Sequence, residues 1–297
     1  MRVDLKTFGP ARVPLSSETP LIYVMHGIFS NAGNMVNLDT RLQQLLPNAT
    51  IHRFGYDWRQ SVLRSGAELA NAAFNDAGEE KQLLFVGHSM GGLVSRVANV
   101  ILSKPAEFAA LVPFLSRFDY QDDINILKAY SFSSKTKRIV NGIVNLATPN
   151  SGAMLQGQVS SYMALVQWAV NQVASFRHPS VQDLTTDRLF RLLQYFGTST
   201  PVLSISGSKV NRFTTGAGQI VRSASKLGLN LTLPHDLVVE DVSVDLSKSI
   251  LPNEVIHHGN ALYLHLRAYE DCTDVTHSSI HNNQVVADYI ADFVSRC

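Results

Sequence analysis

Near-continuous apolar runs, separated by segments of helical period, restrict the fold of this chain more than any other feature of its sequence. The runs are "LIYVM" (21–25), "ATIHRFGY" (49–56), "LLFV" (83–86), "IVNGIVNL" (139–146) and "PVLSIS" (201–206). All but the second lack the polar–apolar alternation of a half-exposed strand, so they read as parallel strands covered on both faces. Helical patterns fall between them. Leu93, Val94, Val97, Ala98 and Ile101 share one helix face, and Val285, Val286, Tyr289, Ile290, Phe293 and Val294 share another. Strands alternating with helices predict an α/β fold, a mainly parallel sheet with helices on both faces.

The length of 297 residues suits a single domain spanning 1–297 with a substantial core. Three spans break the alternation. Residues 103–137 and 150–200 are long and mixed, and predict mostly helical cap or lid insertions; 207–235, rich in Gly, Ser and Thr, predicts a loop insertion. Insertions in such sheets sit over the carboxyl ends of the strands, beside the ligand crevice. "SSYMALVQWAVNQVASF" (160–176) is apolar nearly all round. It reads either as a buried cap helix or as a helix whose one side, with Trp168, lines an acyl-chain pocket or opens as a lid.

With a net charge of +1 and no basic stripe or polybasic run, the sequence predicts neither a nucleic-acid partner nor attraction to anionic lipid. No stretch at the N-terminus has the apolar core of a signal peptide, and no run reaches the roughly 18 apolar residues a bilayer span requires. A cytoplasmic location is therefore the default expectation. Cys272 and Cys297 lie in no C-x-x-C motif and read as thiols, the other reading being one disulfide pinning the C-terminal helix. His277 and His281 are four residues apart, but Ser278 and Ser279 favour a loop, so neither a metal nor a cofactor is expected.

"QLLFVGHSMGGLVSR" (82–96) carries the chemistry. Gly87-His88-Ser89-Met90-Gly91 fits G-x-S-x-G between an apolar strand and a periodic helix. A chain that leaves a strand and enters a helix within one residue forces the serine into a sparsely populated conformation and lifts its hydroxyl clear of the sheet. Side chains two before and two after would clash with neighbouring backbone, which explains glycine at both places. Ser89 is thus the candidate nucleophile. His26-Gly27 ends the first strand, in "VMHGIFSNAGNM" (24–35), where glycine lets the next N–H turn into the crevice. The N–H groups of Met90 and of Ile28, with Phe29 as the alternative, are the candidate oxyanion donors; removing one such donor costs about 10²–10³ in rate. His26 reads as a structural histidine beneath this loop, and His88 as a packing residue.

These motifs, with "HDLVVEDVS" and "THSSIHNNQVVADYI" further on, resemble the α/β-hydrolase serine esterases and lipases. Two other stretches strengthen the likeness: "FGYDWRQS" (54–61) resembles a segment of lipases and lecithin–cholesterol acyltransferase-like proteins, and "NLATPNSGA" (145–153) resembles a lipase strand end. The resemblance implies the α/β-hydrolase fold and a triad in the order Ser, acid, His. Asp236 in "HDLVV" matches the family's D-x-x-V loop, with Glu240, Asp241 and Asp245 as the other carboxylates to weigh. Among His257, His258, His265, His277 and His281, the resemblance selects His277, in a polar loop before the final helix, with His281 second. His277 would take the Ser89 proton and return it to the leaving group, while Asp236 fixes its tautomer.

Asp57, Trp58 and Arg59 read as a structural cluster at a strand end or as a crevice wall; Phe29, Trp58 and Trp168 are the candidate substrate contacts. The implied partner is a small-molecule ester with an acyl chain. Acyltransferase or thioesterase action on the same triad is the alternative, and a non-catalytic binding protein on this fold is a further one. Serine at the elbow argues against a dehalogenase or epoxide hydrolase, which need aspartate there.

Overall fold

The computed structural model describes residues 19–76, 82–150, 178–185, 188–196, 200–206, 250–251, 254–255, 261–265, 275 and 279–297. Its centre is a six-stranded sheet built from β1 (Leu21–Met25), β2 (Thr50–Phe54), β3 (Leu83–His88), β4 (Val140–Leu146), β5 (Val202–Ser206) and β8 (Ala261–His265). The spatial order is β2-β1-β3-β4-β5-β8, and every neighbouring pair is parallel. The short strands β6 (Ile250–Leu251) and β7 (Glu254–Val255) form a separate antiparallel pair.

β1 and β3 are buried at every position, as continuous apolar strands between two helical layers must be. β2 is half-exposed and occupies one edge, which accounts for its mixed sequence. The sixth strand, β8, is not among the expected runs. "ALYLH" contains no β-branched residue, and five apolar-rich residues fit a helix turn as well as a strand; only pairing with β5, Val202 opposite Ala261 through Ser206 opposite His265, decides the matter.

Both faces of the sheet are covered. On one lie α2 (Val62–Asp76), α3 (Met90–Ser103), α4 (Pro105–Leu111) and α5 (Ile124–Ala129), with 3₁₀ segments at Val112–Phe118 and Gln121–Asp123 between the last two and at Phe132–Ser134 after them. The segments α6 (Pro179–Thr185) and α7 (Arg188–Phe196) add Leu184, Leu189 and Leu192 to the same core, with Tyr23, Phe85 and Ile143 of the sheet. The other face is closed by α1 (Val36–Leu45) and α8 (Gln284–Val294), whose Leu38, Leu42, Val286, Ile290 and Phe293 meet Val24, Val86, Val144 and Leu203. The helical stretch within 103–137 sends Phe108, Val112, Leu115, Leu127 and Phe132 into the α2–α3 side of this core. The helix expected over 160–176 and the loop expected over 207–235 lie outside the described residues, as does Cys272. Among the described residues no single helix is long and apolar enough to cross a membrane.

Local chemistry sets the helix starts that matter for the site. Asn283 caps α8, its Oδ1 accepting from the N–H groups of Val285 at 2.8 Å and Val286 at 3.2 Å. Ser61 caps α2, its Oγ accepting from the Arg64 N–H at 3.0 Å. β1 and β3 end side by side, with Met25 opposite Gly87, so the segments that follow them enter the same space at the carboxyl edge of the sheet.

Candidate active site

The turn from β3 into α3 has the strained geometry that its sequence predicts. Ser89 has φ 53° and ψ −123°, a region that non-glycine residues reach only when their surroundings hold them there. Its N–H donates to the Leu146 carbonyl at 2.8 Å, tying the turn to the end of β4. The glycines let the surrounding chain close in. A Cβ on Gly87 would stand 2.4 Å from the Gly91 carbonyl carbon, and one on Gly91 would stand 2.6 Å from the His26 oxygen. One on Gly92 would come within 2.1 Å of Thr148 Oγ1, and one on Gly27 would meet Ser89 Cβ at 2.8 Å. The result is a serine that is 1% exposed, with its Oγ buried and lacking a hydrogen-bond partner among the described residues.

His26 is a brace beneath the loop after β1. Its Nδ1 donates to the Gly27 carbonyl at 2.9 Å and its Nε2 accepts from the Tyr56 N–H at 3.4 Å, which defines a neutral imidazole. Burial lowers its pKa, opposed by the bond to the Gly27 carbonyl. The Tyr56 ring stacks on it, centroids 4.2 Å apart, and the Tyr56 hydroxyl donates to the His26 carbonyl at 2.5 Å. Held in this way, the loop carries Ile28 and Phe29 alongside Ser89, with Phe29 at φ 58°. Met90 is the first residue of α3, where N–H groups have no acceptor within the helix and the dipole is positive.

Ser89 lies in the wall of a crevice of about 540 Å³. His88 and His281 line it beside the serine, their rings 4.9 Å apart at 50°. His281 is buried and lies in the 3₁₀ turn Ile280–Asn282, just ahead of the Asn283 cap. Its Nε2 lies 3.3 Å from Asn282 Nδ2, and Asn282 Oδ1 accepts from Asn37 Nδ2 at 3.1 Å. Arg41 donates to the Asn282 carbonyl, so α1 grips this turn at two points. The rest of the lining is Ile28, Phe29, Ser30, Gly33, Asn34, Val36 and Asn37. No Asp, Glu, Lys or Arg lines the crevice among the described residues.

Trp58 stands behind the crevice and is half-buried, packed edge-on against Phe29 with centroids 4.6 Å apart. His178 meets its other side at 5.3 Å. Burial, aided by the Arg59 charge, lowers the His178 pKa. Arg59 pairs with Asp57 through bonds of 2.7 and 2.9 Å and holds that carboxyl below its usual range. Trp58 and its neighbours thus form a packed strand-end cluster that supports one crevice residue, Phe29.

Of the residues expected from sequence to form the site, Ser89, Met90, Ile28 and Phe29 converge at one place. Asp236, His277 and Trp168 lie outside the described residues, as do Glu240, Asp241, Asp245, His257 and His258. His265 belongs to the edge strand β8. Sequence reasoning did not anticipate Asn34, Asn37 and Asn282 as lining residues, nor the His88–His281 contact. Their signal is weak because polar residues at a helix start read as caps and solvated surface.

No protein-family model matches the chain, and no curated protein resembles it significantly in sequence. Solved structures do match it in shape. The Bacillus licheniformis lipase BlEst2 in its mature form is 15% identical and superposes over 97% of this chain and 96% of its own, with a TM-score of 0.57. The propeptide form of the same lipase is 15% identical over 85% of this chain and 49% of its own, with a TM-score of 0.50. At such identity the likeness concerns the fold alone, and that fold is the α/β-hydrolase fold: a mainly parallel sheet between two helical layers, with the strained Ser89 turn after its third strand.

Proposed function

We propose that this α/β-hydrolase chain is a serine-dependent carboxylic ester hydrolase of the esterase or lipase type, working through an acyl-Ser89 intermediate. The observation that carries the reading is Ser89 itself, held at a strained strand-to-helix turn in the wall of a crevice. A serine used only to make a turn gains nothing from that conformation, since glycine adopts it without strain.

In the proposed reaction the Ser89 Oγ attacks the ester carbonyl carbon while its proton passes to His277. The developing oxyanion is met by the Met90 N–H and by that of Ile28 or Phe29. As the tetrahedral intermediate collapses, the alcohol leaves with the proton from His277. Water then attacks the acyl-enzyme by the same route in reverse, releasing the acid and restoring the serine. Asp236 stabilises the imidazolium. The substrate is a small ester with an acyl chain, and Trp168 in the proposed cap contributes to its wall. Thioester hydrolysis, or acyl transfer to an alcohol in place of water, would use the same residues.

Ser89→Ala is expected to lower kcat for p-nitrophenyl esters by about 10⁴-fold or more while leaving the circular dichroism spectrum unchanged. Undiminished turnover refutes the mechanism. His277→Ala is expected to lose far more activity than His281→Ala. The reverse order would move the base to the histidine that lines the crevice in the described structure.

A further inference from the structure

We infer that Tyr56 is a positioning residue for the reaction: it holds His26 so that the Gly27–Ile28 peptide turns its N–H toward the oxyanion; this rests on the esterase reading of Ser89. Tyr56 lies two residues beyond β2, and the pairing of Met25 with Phe54 brings it level with the loop after β1. Three contacts join it to His26, and each does something different.

The first sets a proton. The Tyr56 N–H donates to His26 Nε2 at 3.4 Å, so the imidazole proton sits on Nδ1, which donates to the Gly27 carbonyl at 2.9 Å. The second sets a plane. The two rings stack with centroids 4.2 Å apart and 8° between planes, which fixes the direction of the Nδ1–H bond. The Gly27 carbonyl and the Ile28 N–H are the two ends of one trans peptide and point in opposite directions. With the carbonyl drawn onto His26, the Ile28 N–H is turned away from it. Gly27 abuts the serine, since a Cβ there would stand 2.8 Å from Ser89 Cβ. Ile28 rather than Phe29 is the donor aimed by this brace, because the Phe29 N–H belongs to the next peptide.

The third contact sets a spacing. The Tyr56 hydroxyl donates to the His26 carbonyl at 2.5 Å. The start of α3 packs on the same carbonyl, where a Cβ on Gly91 would stand 2.6 Å from the oxygen. The loop that carries Ile28 and the helix start that carries Met90 therefore meet at one atom, and Tyr56 pins it. Donors held in advance need no reorganisation as charge develops on the substrate.

Tyr56→Phe keeps the ring and the backbone N–H and removes the hydroxyl alone. The full chain is assayed on p-nitrophenyl butanoate and on its thiono analogue, in which sulfur replaces the carbonyl oxygen. Sulfur is larger and accepts hydrogen bonds more weakly, so the oxygen-to-sulfur ratio of kcat/KM reports on aimed N–H donors and is insensitive to the folded fraction. We expect Tyr56→Phe to lower kcat for the oxygen ester about 10-fold, less than loss of a whole donor, with KM within about twofold of wild type. The oxygen-to-sulfur ratio falls by a similar factor. His26→Leu lowers both further, and His26→Asn, whose Nδ2 replaces the Nδ1 donor, recovers part of the loss. A ratio unchanged in Tyr56→Phe and His26→Leu, or a rise in KM alone, overturns the inference while leaving an esterase. Absence of turnover of p-nitrophenyl butanoate by the wild-type chain overturns the esterase reading, and the inference with it.

Discussion

Ser89 occupies a backbone conformation natural to glycine, and the cost of that choice is measurable. Holding a non-glycine residue there costs about 1–3 kcal/mol. Glycine would remove that strain but lose about 0.5–1 kcal/mol more in conformational entropy on folding. Ser89→Gly is therefore expected to be more stable than Ser89→Ala, by about 1 kcal/mol, with both inactive. Equilibrium urea unfolding of the two variants checks this, and equal midpoints would mean that the turn is not strained. The glycines around it work in the opposite sense, because a Cβ at Gly87 or Gly91 would strike backbone, which cannot rotate away. This part of the site was legible in the sequence because its cause is local: five residues contain both the turn and the steric reason for it.

At the scale of elements, α2 and α3 pack closely at Gly66. A Cβ on Gly66 would stand 2.4 Å from Val97 Cγ1 and 3.1 Å from the Val94 carbonyl. Helix propensity alone favours Gly66→Ala by about 1 kcal/mol. Overpacking a filled contact costs about 1–3 kcal/mol. The second effect wins, so Gly66→Ala is expected to lower the unfolding midpoint, and adding Val97→Ala to recover part of the loss. A gain in stability from Gly66→Ala alone would show that the helices can separate cheaply. Periodicity identified α3 and α8 correctly because their apolar faces repeat over more than two turns. It did not identify β8, whose five residues include no β-branched one to mark a strand.

At the scale of the molecule, a buried polar network ties distant segments together on the α2 side. Asp183 is 0% exposed and accepts from Arg188 Nε at 2.6 Å, the Tyr120 hydroxyl at 2.7 Å and the Val62 N–H at 2.6 Å. Arg188 also donates to the Asp119 and Pro179 carbonyls and lies over the Tyr120 ring. The start of α2, the chain around Tyr120 and the segments α6 and α7 therefore share one ion pair. Removing one partner leaves the other charge buried, so Asp183→Ala is expected to cost about 3–5 kcal/mol. Burial raises the Asp183 pKa to about 6, against the pull of Arg188. The folded state then binds this proton more tightly than the unfolded state does. The contribution is most favourable below an unfolded value of about 3.9 and declines as pH rises toward 6. Wild type minus Asp183→Asn stability, measured by denaturation from pH 4 to 7, should fall through that window and then level off. A difference that rises with pH would mean that the carboxyl is held below its ordinary range.

The sequence by itself determined the layered parallel architecture, the position and geometry of the strained Ser89 turn, and the loop that carries Ile28 and Phe29. Each depends on apolar period or on sterics within a few neighbouring residues. Tertiary structure alone decided that β8 joins the sheet and that Trp58 supports Phe29 from behind. It also decided that Asn37 meets Asn282 across 245 positions of chain. An asparagine at a helix start has the same local chemistry whether it faces solvent or a crevice. Its role is set by what the rest of the fold places opposite it, and no local pattern encodes that.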